Sequence, residues 1–272
     1  MNPEFADIPV VILCGGAGTR LHEETQFIPK PLVKVGEVPI LVHIMEHYSY
    51  YGFRHFVLCL GYKGFMIKDY FLNWANHVSD FTLHLEKGAG GIEYHSWEPR
   101  PWSLTFAETG RNTQTGGRIK RIERYIRAPH FMATYGDGLS DVRLDDLYRQ
   151  HVASGAFATM TAIRMPTRFG VVESDGGKLV SSFREKETLQ DKINGGFFVF
   201  SKEVFPYIEG DYEVLEEGPF RRLVADRKMG VYEHRGFWQC MDTHKELTLL
   251  NRMIEEGRTP WIVDPQRRGP SR

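Results

Sequence analysis

Residues 8–14 form a continuous apolar run rich in β-branched side chains, and it leads without a spacer into Gly15-Gly16-Ala17-Gly18. Such a run reads as a strand buried on both faces, which requires helices on either side of its sheet. Ile40, Ile44 and Tyr48 then recur at helical spacing within 40–50, and 56–60 reads as a second buried strand. Strand, helix and strand in that order predict a parallel βαβ unit.

The alternation continues with a helix-like segment at 65–74, a strand-like one at 81–85, a helix-like one at 119–126 and a strand at 130–135. It predicts an α/β fold with a doubly wound, mixed but mainly parallel sheet of Rossmann-like form. Between 93 and 117 the chain is rich in Trp, Thr, Gly and Pro and departs from the simple alternation, and we read a long excursion at the sheet edge. Beyond Gly155, strand candidates at 158–164, 170–173, 179–184 and 195–200 follow one another closely, which predicts antiparallel pairing and a small additional sheet. Asp242 or Thr243 is placed to cap a late helix carrying Leu247, Leu250 and Ile254. Residues 1–264 are expected to form a single domain. The basic, proline-containing segment 265–272 is expected to be disordered.

With 34 basic against 35 acidic residues the formal net charge is −1. There is thus no global electrostatic case for nucleic acid or an anionic membrane as partner, and any anion site must be local. Cys14, Cys59 and Cys240 are odd in number, far apart and without CxxC spacing. They predict buried free thiols rather than a disulfide framework or structural zinc. The first nine residues are acidic and lack the apolar segment of a signal peptide, and no window approaches the roughly 20 apolar residues that span a bilayer. A soluble, reducing, cytoplasmic setting is the expectation.

The glycine loop lies where backbone amides at the carboxyl end of a parallel strand can converge on phosphate oxygens. Glycines alone are a weak signal, since a tight strand-to-helix turn also needs them, and this loop has neither a P-loop ending nor GxGxxG spacing. Arg20 and Pro29-Lys30-Pro31 strengthen it, because flanking prolines restrict the backbone and let a lysine be aimed. Asp137, after the apolar strand at 130–135, and Asp242, after the apolar stretch 237–241, stand at strand ends and suit a magnesium ion that also takes waters and phosphates. Read alone, each aspartate suits a turn or a helix cap better than a metal.

The combination of Gly15-Gly16-Ala17-Gly18-Thr19-Arg20 with Pro29-Lys30-Pro31 resembles the signature of the sugar nucleotidylyltransferases. Within that group the chain is similar to the glucose-1-phosphate cytidylyltransferases over nearly its whole length. Matching stretches also include Glu23-Glu24-Thr25, Gly61-Tyr62-Lys63-Gly64, Asp80, 115–120, 134–138, 193–198 and 236–243. The resemblance implies transfer of a cytidylyl group from CTP to glucose-1-phosphate with release of pyrophosphate and help from Mg²⁺. It divides the domain into a nucleotide-binding part over 8–150 and a sugar-binding part over 151–264, and it implies a homo-oligomer.

Carried residue by residue, the resemblance assigns Leu13, Cys14, Gly15, Gly16, Ala17, Gly18, Thr19, Arg20, Lys30, Thr113, Arg118 and Gly136 to the nucleotide. Arg20 and Lys30 are its catalytic cations, and Asp137 and Asp242 its metal ligands. Lys186, Asn194 and Gly195 fall to the sugar phosphate. Two departures stand out: Cys14 replaces the family's common alanine, and Glu187 replaces the proline that usually follows the lysine. Alternatives are a uridylyl-, thymidylyl- or guanylyltransferase on a related sugar phosphate, or a non-catalytic nucleotide-sugar sensor on the same fold. Nothing in the chemistry calls for a cysteine or histidine nucleophile.

Overall fold

The central strand, Pro9–Leu13 (β1), buries alternate residues in opposite directions, and Val10, Val11 and Ile12 are all fully excluded from solvent. Val10 and Ile12 pack with Ile40, Ile44 and Tyr48, whereas Val11 packs with Ile119, Phe131 and Phe198. One strand therefore feeds two cores, one on each face of the sheet, and each large apolar side chain so buried contributes about 1.5–3 kcal/mol. The computed structural model describes residues 3–96, 99–165, 171–174, 180–184 and 191–263.

Six further strands join β1: His55–Leu60 (β2), Ser103–Glu108 (β3), His130–Tyr135 (β4), Ala158–Ile163 (β5), Ile193–Ser201 (β6) and Met229–Glu233 (β7). Their order across the sheet is β3-β2-β1-β4-β6-β5-β7. β1 is parallel to β2 and β4, β2 to β3, and β5 to β7. β6 runs antiparallel to both of its neighbours. The sheet is thus mixed and mainly parallel, with helices on both faces.

The helices that matter for the site are Ile40–Tyr50 (α1), Gly64–Leu72 (α2), Thr115–Arg121 (α3), Leu144–Ser154 (α4), Pro219–Ala225 (α5) and His244–Glu255 (α6). α4 ends at Gly155, whose φ of 65° is the left-handed stop that glycine supplies at a helix end. α6 begins with a reciprocal capping box between Thr243 and Glu246, so Thr243 rather than Asp242 is the cap. That leaves the Asp242 carboxylate free for another task.

Three sequence expectations need correction. The excursion at 93–117 contains the regular edge strand β3, whose Leu104, Thr105 and Phe106 are only half-buried and so lack the apolar run that marks a central strand. The strand expected at 81–85 exists as Phe81–Leu83 but pairs only with Ile92–Tyr94, in a solvent-exposed hairpin outside the main sheet. The helix expected at 119–126 starts earlier, at Thr115, and yields to a 3₁₀ turn at Glu123–Tyr125. Beyond Gly155 the anticipated antiparallel pairing is present in β5 with β6, and in a separate hairpin of Val171–Ser174 with Val180–Arg184. The segment 265–272 and Lys186 lie outside the described residues.

Candidate active site

Because β1 and β4 are adjacent and parallel, with Leu13 opposite Tyr135, their carboxyl ends deliver the glycine loop and Gly136-Asp137 to one rim of the sheet. The Gly136 amide donates to the Leu13 carbonyl at 3.2 Å and ties the two loops together. Between them opens a cavity of about 340 Å³, lined by Leu13, Cys14, Gly15, Gly16, Gly18, Thr19, Arg20, Lys30, Pro31, Thr113, Gln114, Thr115, Arg118, Tyr135, Gly136, Asp137 and Asp242. Of the residues expected at a nucleotide, Ala17 alone is not on this wall.

Lys30 sits in a short 3₁₀ turn, Lys30–Leu32, entered from an extended Pro29. Its ammonium reaches Asp137 Oδ2 at 2.6 Å and Asp242 Oδ1 at 2.5 Å, and Arg20 reaches the other oxygen of Asp242 at 2.6 Å. Burial alone would lower the Lys30 pKa, but the two aspartates outweigh it and hold the value above its usual 10.5. The lysine therefore stays charged at neutral pH. Two cations and two carboxylates meet at one point, so the cluster is self-neutralised, and an incoming polyanion with its own cation can exchange partners with it.

The two aspartates are far apart in sequence and are brought together by a two-stranded ribbon. Gly138–Ser140 pairs antiparallel with Trp238–Cys240, and the Met241 amide donates to the Asp137 carbonyl at 2.8 Å. At the far end of the ribbon Ser140 Oγ donates to the Phe237 carbonyl at 2.7 Å, and His234 Nε2 lies 3.0 Å from Asp141. Burial opposes ionisation of both partners, but their pairing prevails: the Asp141 pKa is lowered and that of His234 raised. Beside Asp242, the nearly buried Glu246 carboxylate accepts from the amides of Asp242 and Thr243 at 2.7 and 2.9 Å. The backbone that presents each acid is thus fixed on both sides.

Arg118 behaves differently from an open phosphate ligand. It is 5% exposed, and its guanidinium donates to the carbonyls of Gly15 (3.1 Å), Leu60 (3.0 Å) and Gly110 (2.8 Å) and to Thr109 Oγ1 (2.7 Å). A Cβ on Gly15 would lie 2.1 Å from that guanidinium, so only glycine lets the loop rest on the arginine. Arg118 therefore braces the glycine loop from beneath.

All three cysteines are free; Cys14 and Cys59 are buried and Cys240 is partly so. Burial pushes the Cys14 thiol well above its ordinary value and those of Cys59 and Cys240 up to about 12. None is a thiolate near neutrality. Asn194 and Gly195 lie behind Tyr135 rather than on the cavity wall: Asn194 Nδ2 donates to the Tyr135 hydroxyl at 3.3 Å, and the Gly195 carbonyl accepts from Trp238 Nε1 at 2.6 Å. Among the described residues there is no group of three or more His, Cys, Asp or Glu side chains arranged to hold a metal, and no helix is long and apolar enough to cross a membrane.

Residues 9–255, which contain every element of this site, match the nucleotidyl transferase family. The chain belongs to the nucleotidyl transferase family. It is 42% identical over 253 residues to the glucose-1-phosphate cytidylyltransferase of Salmonella typhi, a match spanning 92% of this chain and 97% of the relative. It is 43% identical over 254 residues to the probable glucose-1-phosphate cytidylyltransferase of Bacillus subtilis, spanning 93% and 98%. The UDP-glucose pyrophosphorylase of Acinetobacter baumanii superposes with a TM-score of 0.66 at 15% identity, covering 92% of this chain and 93% of that one, a likeness of fold.

Sequence reasoning missed several parts of this nucleotidyl transferase site. Gln114 and Tyr135 line the cavity, and Glu216 accepts from the Tyr135 hydroxyl and, at 3.1 Å, from Thr115 Oγ1. Tyr135 falls inside the matching stretch 134–138 and was within reach. Glu216 stands in an irregular acidic segment, 209–218, with no periodicity to single it out.

Proposed function

We propose that this nucleotidyl transferase moves a cytidylyl group from CTP to glucose-1-phosphate, giving CDP-glucose and pyrophosphate. The observation that carries the chemistry is the convergence of Arg20, Lys30, Asp137 and Asp242 on one edge of a glycine-loop cavity. The choice of substrates rests on the two cytidylyltransferase relatives, which match almost end to end.

In the reaction a phosphate oxygen of glucose-1-phosphate forms a bond to the α-phosphorus of CTP while the α–β bridging P–O bond breaks. The attacking phosphate is already ionised, so no general base is needed, and catalysis consists of positioning and charge neutralisation. The glycine-loop amides and Arg20 hold the charge that accumulates on the departing pyrophosphate. Lys30 draws two mutually repelling anions together. Thr113, the Arg118-braced loop and Gly136 orient the nucleoside. Asn194 and the backbone at Gly195 serve the sugar, and Lys186 its phosphate.

Nucleotidyl transferases of this family generally act with a divalent metal. The residues here fit one: Asp137 and Asp242 already share a single cation, the Lys30 ammonium, and two carboxylates leave room for phosphate oxygens and waters. When bound there, Mg²⁺ supplies positive charge to the phosphates of the transition state. A cytoplasmic setting and self-association accompany the same reading.

The test is pyrophosphate release from glucose-1-phosphate with Mg²⁺ and each of CTP, UTP, dTTP, ATP and GTP, with product mass confirmed. Preference for CTP is the expected result. Preference for another nucleotide overturns the base assignment, and silence with all five across a panel of sugar phosphates overturns the catalytic reading in favour of a sensor.

A further inference from the structure

Behind Tyr135 lies a second cavity of about 330 Å³, lined by Met160, Asn194, Glu216, Phe220, Arg221 and Val224. Tyr135 and Thr115 line the nucleotide cavity, and Glu216, which lines the second one, is tied to both of them. One Glu216 oxygen accepts from the Tyr135 hydroxyl, and the other from Thr115 Oγ1 at 3.1 Å. Thr115 Oγ1 in turn accepts from the Leu215 amide at 2.9 Å, next to Glu216 in the chain. Among the described residues Glu216 enters no ion pair.

A half-buried carboxylate held only by neutral hydroxyls, one on each oxygen, carries a charge that neither partner neutralises. A carboxylate offers about four acceptor positions, and two of these are used. The surplus acceptors stand beside Asn194, whose Nδ2 donates to Tyr135 at 3.3 Å and whose Oδ1 accepts from the Gly196 amide at 2.8 Å. Acceptors set next to an amide and flanked by Met160, Phe220 and Val224 suit a sugar ring, which presents hydroxyl donors at its edge and C–H groups on its faces.

We infer that Glu216 accepts hydrogen bonds from ring hydroxyls of the sugar phosphate and sets the choice of sugar, an inference that rests on the sugar-phosphate reading above. It is a specificity residue for the acceptor substrate, not for the nucleotide. A hydrogen bond to a charged acceptor is worth about 1.5–3 kcal/mol, which corresponds to about a tenfold to hundredfold effect on recognition of the correct sugar.

The experiment compares the wild type with Glu216→Gln and Glu216→Ala, measuring KM and kcat for glucose-1-phosphate and for CTP, and repeating the assay with sugar phosphates that each lack one ring hydroxyl. The expected result is a KM for the sugar phosphate raised about tenfold or more in both variants, with the KM for CTP changed less than twofold. One deoxy analogue should be a poor substrate of the wild type yet no worse than the parent sugar for Glu216→Ala, which identifies the hydroxyl. A merely structural role predicts equal losses for both substrates and the same deoxy penalty in every variant, and that outcome overturns the proposal. If the wild type prefers another sugar phosphate, the glucose assignment fails and the Glu216 comparison runs on that sugar. A wild type active on no sugar phosphate removes both readings.

Discussion

Replacing Lys30 by methionine tests the self-neutralised cluster directly. The lysine side chain is 11% exposed, and the two carboxylates it bridges are 29% and 19% exposed. Removing one member of a buried ionic group costs about 3–5 kcal/mol, since the remaining charges keep their desolvation cost without compensation. Partial access of water to both aspartates reduces that here, and Arg20 still neutralises part of Asp242, so we expect a loss of about 2–3 kcal/mol. In a chain of this size that lowers the melting temperature by about 5–10 °C. The same substitution removes the cation with which, on the proposed reading, Mg²⁺ competes for Asp137 and Asp242. Thermal unfolding followed by circular dichroism, in chelator and in Mg²⁺, should therefore show Lys30→Met melting well below the wild type in chelator and regaining most of the difference in Mg²⁺. The wild type should shift much less between the two conditions. A variant that melts with the wild type in chelator, or that gains no more than the wild type from Mg²⁺, refutes the reasoning.

Other outcomes follow from the same geometry. Asp137→Asn should lower pyrophosphate release by about a hundredfold or more while leaving the circular dichroism spectrum unchanged; near-normal turnover would remove Asp137 from the site. Arg118→Ala removes charged hydrogen bonds to the Gly15, Leu60 and Gly110 carbonyls and to Thr109 Oγ1, although Gly15 and Leu60 keep the amides of Tyr62 and Thr109 as donors, so we expect a loss of about 3 kcal/mol and a raised KM for CTP, read by urea unfolding and initial rates. Gly15→Ala, which forces the guanidinium aside, should raise the same KM with a smaller stability change. Burial lowers the pKa values of His47 and His151 to about 4. The unfolded chain therefore takes up protons first, and their contribution to stability is complete above about pH 6.5 and lost as the pH falls towards 4, by up to roughly 3 kcal/mol each. His234 runs the other way, its contribution being complete below about pH 6.5 and lost as the pH rises through its raised value. Urea unfolding at pH 7, 6 and 5 should show a falling midpoint, and a flat profile contradicts the burial argument.

The doubly wound half of the sheet was legible because β1, β2 and β4 are buried on both faces and announce themselves as apolar runs. β3 was not, since an edge strand covered on one side carries Ser103, Thr105 and Glu108 among its apolar residues. The glycine loop, Lys30 and the two aspartates were legible as residue types at strand ends, but their meeting at one ammonium was not. That meeting depends on a ribbon of Gly138–Ser140 with Trp238–Cys240, whose three-residue strands are too short to show a period. Arg118, assigned to the nucleotide by resemblance, lines the cavity and lies under Gly15 and Gly61 as well, a bracing contact that its place in a seven-residue helix did not announce. Glu216 escaped because its role comes from Tyr135 and Thr115, distant in the chain, rather than from its neighbours.

The ribbon has a wider meaning for how such a chain can vary. The spacing of Asp137 and Asp242 is set by a short ladder of backbone hydrogen bonds and by the helix cap at Thr243, and not by the long stretch of polypeptide that runs between the two acids. That stretch holds β5, β6 and the hairpin of Val171–Ser174 with Val180–Arg184, the part of the molecule beside Asn194 and Glu216. Insertions or rebuilt loops there can reshape the pocket while the two carboxylates keep their separation. Under the proposed reaction, diversification of the acceptor side is in this way insulated from the phosphate chemistry.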